Sequence, residues 1–161
     1  MKVDSPSLKN TKIYKDKSVK TFPAKVASTE AAPSILCPLY VCRVSAGFPS
    51  PADDYMEQTI SLDAQFIRHP TATFFVKAGG DSMIKAGIHE GDTLIVDRSL
   101  TAKAGQVVIA VVDGHLTVKR LEYEGGNVML CPDNDAYKPL KIDKDSDLIL
   151  WGVVTYVIHA L

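Results

Sequence analysis

One stretch of the chain predicts its own local fold more strongly than any other. Six apolar residues, Val107–Val112, are followed by Asp113-Gly114 and then by the strand-like segment His115–Lys119. Asp-Gly is a strong signal for a two-residue turn, because its residues tolerate the positive φ angles that such turns require. The pattern therefore predicts a β-hairpin, and with it a fold that contains antiparallel strands.

Short apolar segments separated by turn residues continue beyond Tyr55. They are rich in β-branched residues, which favour strands. We predict strands at Ala72–Ala78, Thr93–Asp97, Gln106–Val112, Leu116–Leu121, Asn127–Leu130 and Leu148–Ile158. A short helical turn is predicted over Met83–Ala86, ended by Gly87. The predicted fold class is mainly β, with twisted sheets, hairpins and few short helices.

Residues 1 to about 35 differ in composition from the rest of the chain. They are rich in Lys, Ser, Thr, Ala and Pro, and their prolines leave no room for a long helix. We predict an extended N-terminal arm, followed by an apolar extended segment over Ile35–Val44. Small residues and two prolines over residues 45–51 then form an exposed stretch that a protease cleft can accept.

The arm and the rest of the chain, here called the body, carry net charges of opposite sign. Residues 1–26 hold seven lysines against Asp4 and Asp16, a net charge of +5, so the total of −1 leaves −6 for residues 27–161. A protein that reads DNA sequence normally has a basic face on its folded part, because phosphate neutralisation supplies most of the affinity. The acidic body therefore argues against direct sequence-specific DNA binding, and the basic arm is read as a solvated segment.

Composition excludes a membrane protein and a disulfide scaffold. No apolar run approaches the roughly 18 residues that span a bilayer, and the N-terminus lacks the apolar stretch of a secretory signal. We therefore expect a soluble, cytoplasmic protein. Cys37, Cys42 and Cys131 are odd in number and form no C-x-x-C pair, so we expect reduced thiols.

The four histidines, His69, His89, His115 and His159, are spread along the chain. None has a paired carboxylate or cysteine at a ligand spacing, so we predict neither a metal site nor a Ser-His-Asp triad. No glycine-rich segment extends into a phosphate-binding loop, and no cofactor is predicted.

The segment Gly79-Gly80-Asp81-Ser82 carries the first candidate for chemistry. A serine needs a nearby base to become a nucleophile, and it needs backbone donors for the oxyanion that forms. The two glycines let the chain turn sharply, so the serine oxygen can be exposed and the N–H groups of Asp81 and Ser82 can face a carbonyl oxygen. An ordinary surface turn is the alternative interpretation.

Lys119 is the candidate base, 37 positions after Ser82 in a predicted strand. The pKa of a free lysine is about 10.4, so it acts as a base near neutrality only where burial disfavours its charged form. Strand alternation puts Thr117, Lys119 and Leu121 on one face, so Lys119 can turn inward while Arg120 stays solvated. A Ser-Lys pair is chemically sufficient for peptide hydrolysis. A surface lysine on an edge strand is the alternative.

Five motifs in order resemble the UmuD branch of the LexA/UmuD family of self-cleaving serine peptidases. They are Ala46-Gly47-Phe48-Pro49-Ser50-Pro51, Gly80-Asp81-Ser82-Met83, Gly91-Asp92-Thr93-Leu94-Ile95-Val96-Asp97, Leu116-Thr117-Val118-Lys119-Arg120-Leu121 and Trp151-Gly152-Val153-Val154. The resemblance covers roughly residues 40–161. It implies a mainly β domain, Ser82 as the nucleophile, Lys119 as the general base and cleavage between Ala46 and Gly47.

The resemblance also implies partners. Proteins of this kind are cleaved when a RecA filament on single-stranded DNA stimulates them, and the shortened form dimerises and serves an error-prone Y-family polymerase subunit, UmuC-like, in the SOS response. We therefore expect a basic arm over residues 1–46 and a peptidase and dimerisation domain over residues 47–161. The arm is longer than the UmuD pattern, and the Ala-Gly bond is closer to the LexA side. The sequence is compatible with cleavage within one chain or between two.

Three other functions compete with this one. A LexA-like repressor inactivated by self-cleavage needs a helix-turn-helix, and the proline-interrupted first 45 residues show none. A protein that only dimerises would carry Ser82 and Lys119 as relics. A signal peptidase shares the Ser-Lys pair but needs a membrane anchor.

Overall fold

The described part of the chain forms two antiparallel β-sheets. The computed structural model describes residues 34–40, 57–143 and 146–161, which belong to one compact unit, Pro33–Leu161. The strands are β1 (Leu36–Tyr40), β2 (Glu57–Ser61), β3 (Thr73–Lys77), β4 (Thr93–Asp97), β5 (Val107–Val112), β6 (His115–Glu124), β7 (Asn127–Cys131), β8 (Leu140–Ile142) and β9 (Leu148–Ile158). A short helix, α1 (Leu62–Phe66), and a 3-10 turn at Ile84–Ala86 complete the elements. The predicted mainly β fold class is confirmed.

Seven strands make the larger sheet, in the order β3-β4-β9-β5-β6-β7-β8, and every neighbouring pair is antiparallel. The long strand β9 lies between β4 and β5, and its register shifts at Ile95/Val96 and at Ile109/Ala110. Such irregularities bend a strand and increase its twist, so β9 can follow both neighbours. The smaller sheet pairs β1 with β2, from Leu36 opposite Ser61 to Tyr40 opposite Glu57.

The strand predictions are confirmed within the described residues. All six strands predicted beyond Tyr55 are present, and the hairpin closes with Val112 opposite His115 across a turn whose φ angles are 48° and 82°. The predicted helical turn is present as the 3-10 turn, and Gly87 ends it with φ of 75°. The expected extended segment Ile35–Val44 is a strand over Leu36–Tyr40, and its remainder lies outside the described residues.

Three elements are absent from the sequence predictions. Strand β2 reads Glu-Gln-Thr-Ile-Ser, which is too polar for an apolar-strand pattern, and β8 is only three residues long. Helix α1 has five residues, of which none is buried. Its one local sequence signal is the N-cap residue Ser61, whose Oγ accepts a hydrogen bond from Ala64 N–H. Within the described residues, no helix has the length and apolarity to cross a membrane.

The core consists of two apolar clusters on opposite faces of β5. Alternate residues of a strand point to opposite faces, so Val108 and Ala110 join one cluster and Ile109 joins the other. The first cluster also contains Val112, Leu121, Leu130, Ile142, Leu148 and Val153. The second contains Ala78, Met83, Ile88, Leu94 and Val96. The second cluster matters for function because Met83, 2% exposed, directly follows Ser82.

Candidate active site

Ser82 and Lys119 meet in the folded chain. Lys119 Nζ lies 2.7 Å from Ser82 Oγ and 2.9 Å from the carbonyl oxygen of Val118. Lys119 is half-buried, and this burial lowers its pKa from the ordinary value of 10.5. A lysine in this setting loses its proton more readily than a solvated one, and the neutral amine can then accept a hydrogen bond from the hydroxyl.

The loop that carries Ser82 is closed at its base and anchored near its middle. Ala78 N–H donates to the carbonyl of Asp92 at 2.8 Å, and Gly91 N–H donates back to the carbonyl of Ala78 at 2.9 Å. Gly80 has φ of 74°, a left-handed conformation that residues with a Cβ rarely adopt. The buried Met83 side chain then fixes the loop in the core, so the position of Ser82 is set on both sides.

A second loop, residues 132–139, holds the residue before Ser82. Asn134 Nδ2 donates to the backbone carbonyl of Asp81 at 3.1 Å, and the Tyr137 hydroxyl donates to the Asp81 carboxylate. This hydrogen bond raises the pKa of Tyr137. Asn134 and Tyr137 carry no motif that predicts this role, and their one local signal in the sequence is the turn-forming run Pro132-Asp133-Asn134.

The backbone N–H groups of Asp81 and Ser82 are the expected oxyanion donors. Among the described residues, neither N–H donates a hydrogen bond to a protein acceptor. Both groups are therefore free to bind a carbonyl oxygen. Their role stays a prediction, since it depends on where a substrate carbonyl lies.

Arg120, which was expected to be solvated, is partly exposed but also contacts the region around Ser82. Its guanidinium forms an ion pair with the half-buried carboxylate of Asp133, and Nε lies 3.1 Å from both carboxylate oxygens. Asp133 in turn accepts a backbone hydrogen bond from Lys85 N–H at 2.9 Å. Strand β6 therefore supplies Lys119 itself and, through Arg120, a support for the turn after Ser82.

A cleft of about 210 Å³ opens beside the Ser82-Lys119 pair. It is lined by both residues together with Val76, Lys77, Ala78, Gly79, Leu94, Ile109, Leu116, Thr117 and Val118. One wall is an open strand edge: β7 pairs only with Arg120–Glu124 of β6, so within the described residues His115–Lys119 has a strand partner on one side only. An extended peptide can hydrogen-bond to such an edge.

The other predicted site residues have different outcomes. Ala46 and Gly47 lie outside the described residues. The interpretation that none of the histidines has a paired carboxylate is wrong. His89 Nδ1 lies 3.7 Å from Asp92 Oδ2, three positions later in the sequence. Two further contacts join distant residues: His69 Nδ1 lies 2.6 Å from Asp97 Oδ2, and His159 Nδ1 lies 2.6 Å from Asp92 Oδ1. Long sequence separations of 28 and 67 residues hide both contacts from a search by local spacing.

Comparison with known proteins shows the family of the chain. The Peptidase S24-like family matches residues 38–155. MucA of Salmonella typhimurium is 45% identical over 120 residues, which cover 74% of this chain and 82% of MucA. SamA of the same species is 48% identical over 122 residues, which cover 76% of this chain and 84% of SamA. The LexA repressor of Shewanella oneidensis is 45% identical over 118 residues, but these cover only 57% of that repressor. The chain therefore belongs to the Peptidase S24-like family and, within the LexA/UmuD group, to its UmuD-like members.

Proposed function

We propose that this protein hydrolyses its own Ala46-Gly47 bond, with Ser82 as the nucleophile and Lys119 as the general base. The observation that carries the proposal is the 2.7 Å contact between Lys119 Nζ and Ser82 Oγ, made by a lysine whose pKa burial has lowered. A deprotonated amine at this distance can take the hydroxyl proton as the oxygen attacks.

The proposed reaction has two stages, acylation of Ser82 and hydrolysis of the resulting ester. Ser82 Oγ bonds to the carbonyl carbon of Ala46 while its proton moves to Lys119 Nζ, and the N–H groups of Asp81 and Ser82 hold the oxyanion. The bond to Gly47 then breaks, and the new amino group takes the proton from Lys119. Water attacks the resulting ester with Lys119 again as the base, which releases the Ala46 carboxylate and restores Ser82.

The connection between β1 and β2 is the proposed substrate. Tyr40 and Glu57 pair at the end of these strands, so residues 41–56, with the Ala46-Gly47 bond, connect two strands that are held together. The open edge of His115–Lys119 supports binding of this segment as an added strand. Backbone pairing would align the scissile carbonyl without demanding a large side chain before the cut.

We further propose that cleavage switches on a function in SOS mutagenesis. The resemblance to UmuD proteins and the similarity to MucA and SamA support this role. In the proposed sequence, a RecA filament on single-stranded DNA stimulates the cut, residues 47–161 form a homodimer, and the dimer serves a UmuC-like polymerase subunit. The acidic body, net −6 over residues 47–161, favours protein partners over DNA as its direct contacts.

Mass spectrometry of the full chain after alkaline incubation tests the nucleophile, the base and the cut together. We expect two fragments, one of which begins at Gly47. Ser82→Ala and Lys119→Ala should both remain intact, while Lys103→Ala, at an exposed lysine outside the cleft, should be cut like the wild type. Processing at Gly47 in the Ser82→Ala protein would refute the assigned nucleophile, and a different new N-terminus would refute the assigned bond.

A further inference from the structure

Three potential metal ligands from distant parts of the chain meet on the side of the fold where β9 ends. His89 and Asp92 belong to the loop after Ser82, and His159 directly follows β9. His159 Nδ1 lies 2.6 Å from Asp92 Oδ1, and His89 Nδ1 lies 3.7 Å from Asp92 Oδ2. The two imidazole rings are tilted at 48° with centroids 4.9 Å apart. One ligand atom from each residue lies within 4.8 Å of the other two.

We infer that His89, Asp92 and His159 form a binding site for one divalent transition-metal ion of the zinc class. Two imidazole nitrogens and one carboxylate oxygen are a donor set that suits Zn²⁺, Co²⁺ and Ni²⁺, whereas Ca²⁺ and Mg²⁺ require mainly oxygen ligands. The inference does not depend on Ser82 or on self-cleavage, because it concerns a second site on the same domain.

The distances are close to those that a metal ion requires. Zn–N and Zn–O bonds of about 2.0–2.2 Å in a tetrahedral site separate neighbouring ligand atoms by roughly 3.3 Å. The present separations of 2.6 Å, to Asp92 Oδ1, and 3.7 Å, to Asp92 Oδ2, lie on either side of that value, and the three ligand atoms all lie within 4.8 Å of one another. The shorter one is a hydrogen bond between His159 and Asp92, so an ion would take the place of the shared proton, and small side-chain rotations would complete the site.

Burial and charge also favour binding at these residues. The Asp92 side chain is 2% exposed, while each histidine side chain is 46% exposed, so the carboxylate lies at the bottom of a shallow site that opens to solvent. The carboxylate is held in place by a hydrogen bond from the backbone N–H of His89 to Asp92 Oδ2 at 2.7 Å. The exposed histidines leave room for water in a fourth position, as in three-ligand zinc sites.

Binding would connect the serine loop to the end of the sheet. The carbonyl of Asp92 already accepts a hydrogen bond from Ala78 N–H at the base of that loop. An ion shared by His89, Asp92 and His159 would link this base to the segment after β9. We therefore expect metal binding to stabilise the folded protein, because a ligand that binds only the folded state raises its stability by mass action.

Titration of the full-length protein with Co²⁺, followed by its visible absorption, tests the site, and calorimetry with Zn²⁺ provides the affinity. We expect one ion per chain. His89→Ala and His159→Ala should each weaken binding by at least about tenfold, since even outer-shell partners of metal ligands are commonly worth about 10- to 100-fold. His115→Ala is the matched control, because His115 is exposed and its ring lies near the backbone carbonyl of Asp113, away from the proposed ligands.

Each result of the metal titrations either supports or overturns the proposed site. Single-site binding that both cluster variants weaken and His115→Ala leaves unchanged supports the proposal. It is overturned by the absence of saturable binding at millimolar Co²⁺, by binding that survives either cluster variant, or by an intense sulfur-to-cobalt band that would assign the ion to a cysteine. Both altered histidines are half-exposed, and far-ultraviolet circular dichroism of each variant verifies that it is folded before titration.

Discussion

At the scale of single residues, the decisive quantity is the pKa of Lys119. Burial lowers it from 10.5, and the amine acts as a base only in its neutral form. The rate of unassisted cleavage should therefore rise about tenfold per pH unit while the neutral form is the minor one, and level off at a pH below 10.5. Timed gel assays across this range measure the profile.

Lys119→Arg is the sharpest control for this profile. Arginine keeps the positive charge and much of the length, but it cannot lose its proton in a protein. We expect no cleavage at any pH, and a flat wild-type profile or an active arginine variant would contradict the role of Lys119 as the base.

The burial of Lys119 should also lower the stability of the folded chain near neutral pH. Because its pKa is lower in the folded chain, the unfolded chain binds more protons between the two pKa values, so stability rises with pH over that interval. In a Ser82→Ala background, Lys119→Met should have a higher Tm at pH 7, and the difference should shrink as the pH approaches 10.5. Lys103→Met, at an exposed position, should show no such convergence.

At the scale of elements, the loop of residues 132–139 positions the loop that carries Ser82. Tyr137 donates its hydroxyl hydrogen bond to Asp81, next to Ser82. Because this hydrogen bond orients the residue beside the nucleophile, Tyr137→Phe should slow cleavage by roughly a few-fold. The pH at which the rate levels off should stay unchanged, because Lys119 keeps its surroundings. Lys138→Ala, an exposed neighbour, is the control, and a shifted profile in Tyr137→Phe would contradict a positioning role.

Close strand packing gives a second prediction at this scale. A Cβ at Gly152 in β9 would lie 2.8 Å from the carbonyl oxygen of Asp97 and 2.9 Å from Val96 Cγ1. Backbone in a paired strand cannot easily move away, so Gly152→Ala should lower the free energy of unfolding by about 1–3 kcal/mol. Urea denaturation measures this value. Gly79→Ala should be nearly neutral for stability, since nothing lies within 4 Å of a Cβ there.

The elements also show what the sequence could predict. Apolar β-branched strands and the Asp-Gly turn carry local signals, so the hairpin of β5 and β6 was predictable. Strand β2 is polar, and helix α1 has only five residues, none of them buried, so no apolar pattern predicts either element. The Ser82-Lys119 pair followed from motif order, whereas the contacts of Arg120 with Asp133 and of His159 with Asp92 depend on tertiary packing that local spacing does not encode.

At the scale of the whole molecule, the distribution of charge predicts how the chain binds DNA. Residues 1–46 carry eight basic and three acidic residues, a net +5, and residues 47–161 carry −6. DNA binding by the full chain should therefore be weak, independent of sequence and due to the arm. Its logarithmic salt dependence should have a slope no steeper than about −7, because each of at most eight neutralised phosphates contributes about −0.9.

Fluorescence anisotropy with a random duplex measures this dependence, with Ser82→Ala used to keep the chain intact. Replacing the seven lysines of residues 1–26 by glutamine should abolish binding and its salt dependence. A repressor would behave differently, since base contacts survive the loss of charges that only neutralise phosphates. Tight, saturable binding to one sequence that persists in the glutamine variant would identify a LexA-like repressor and refute a function carried by protein partners alone.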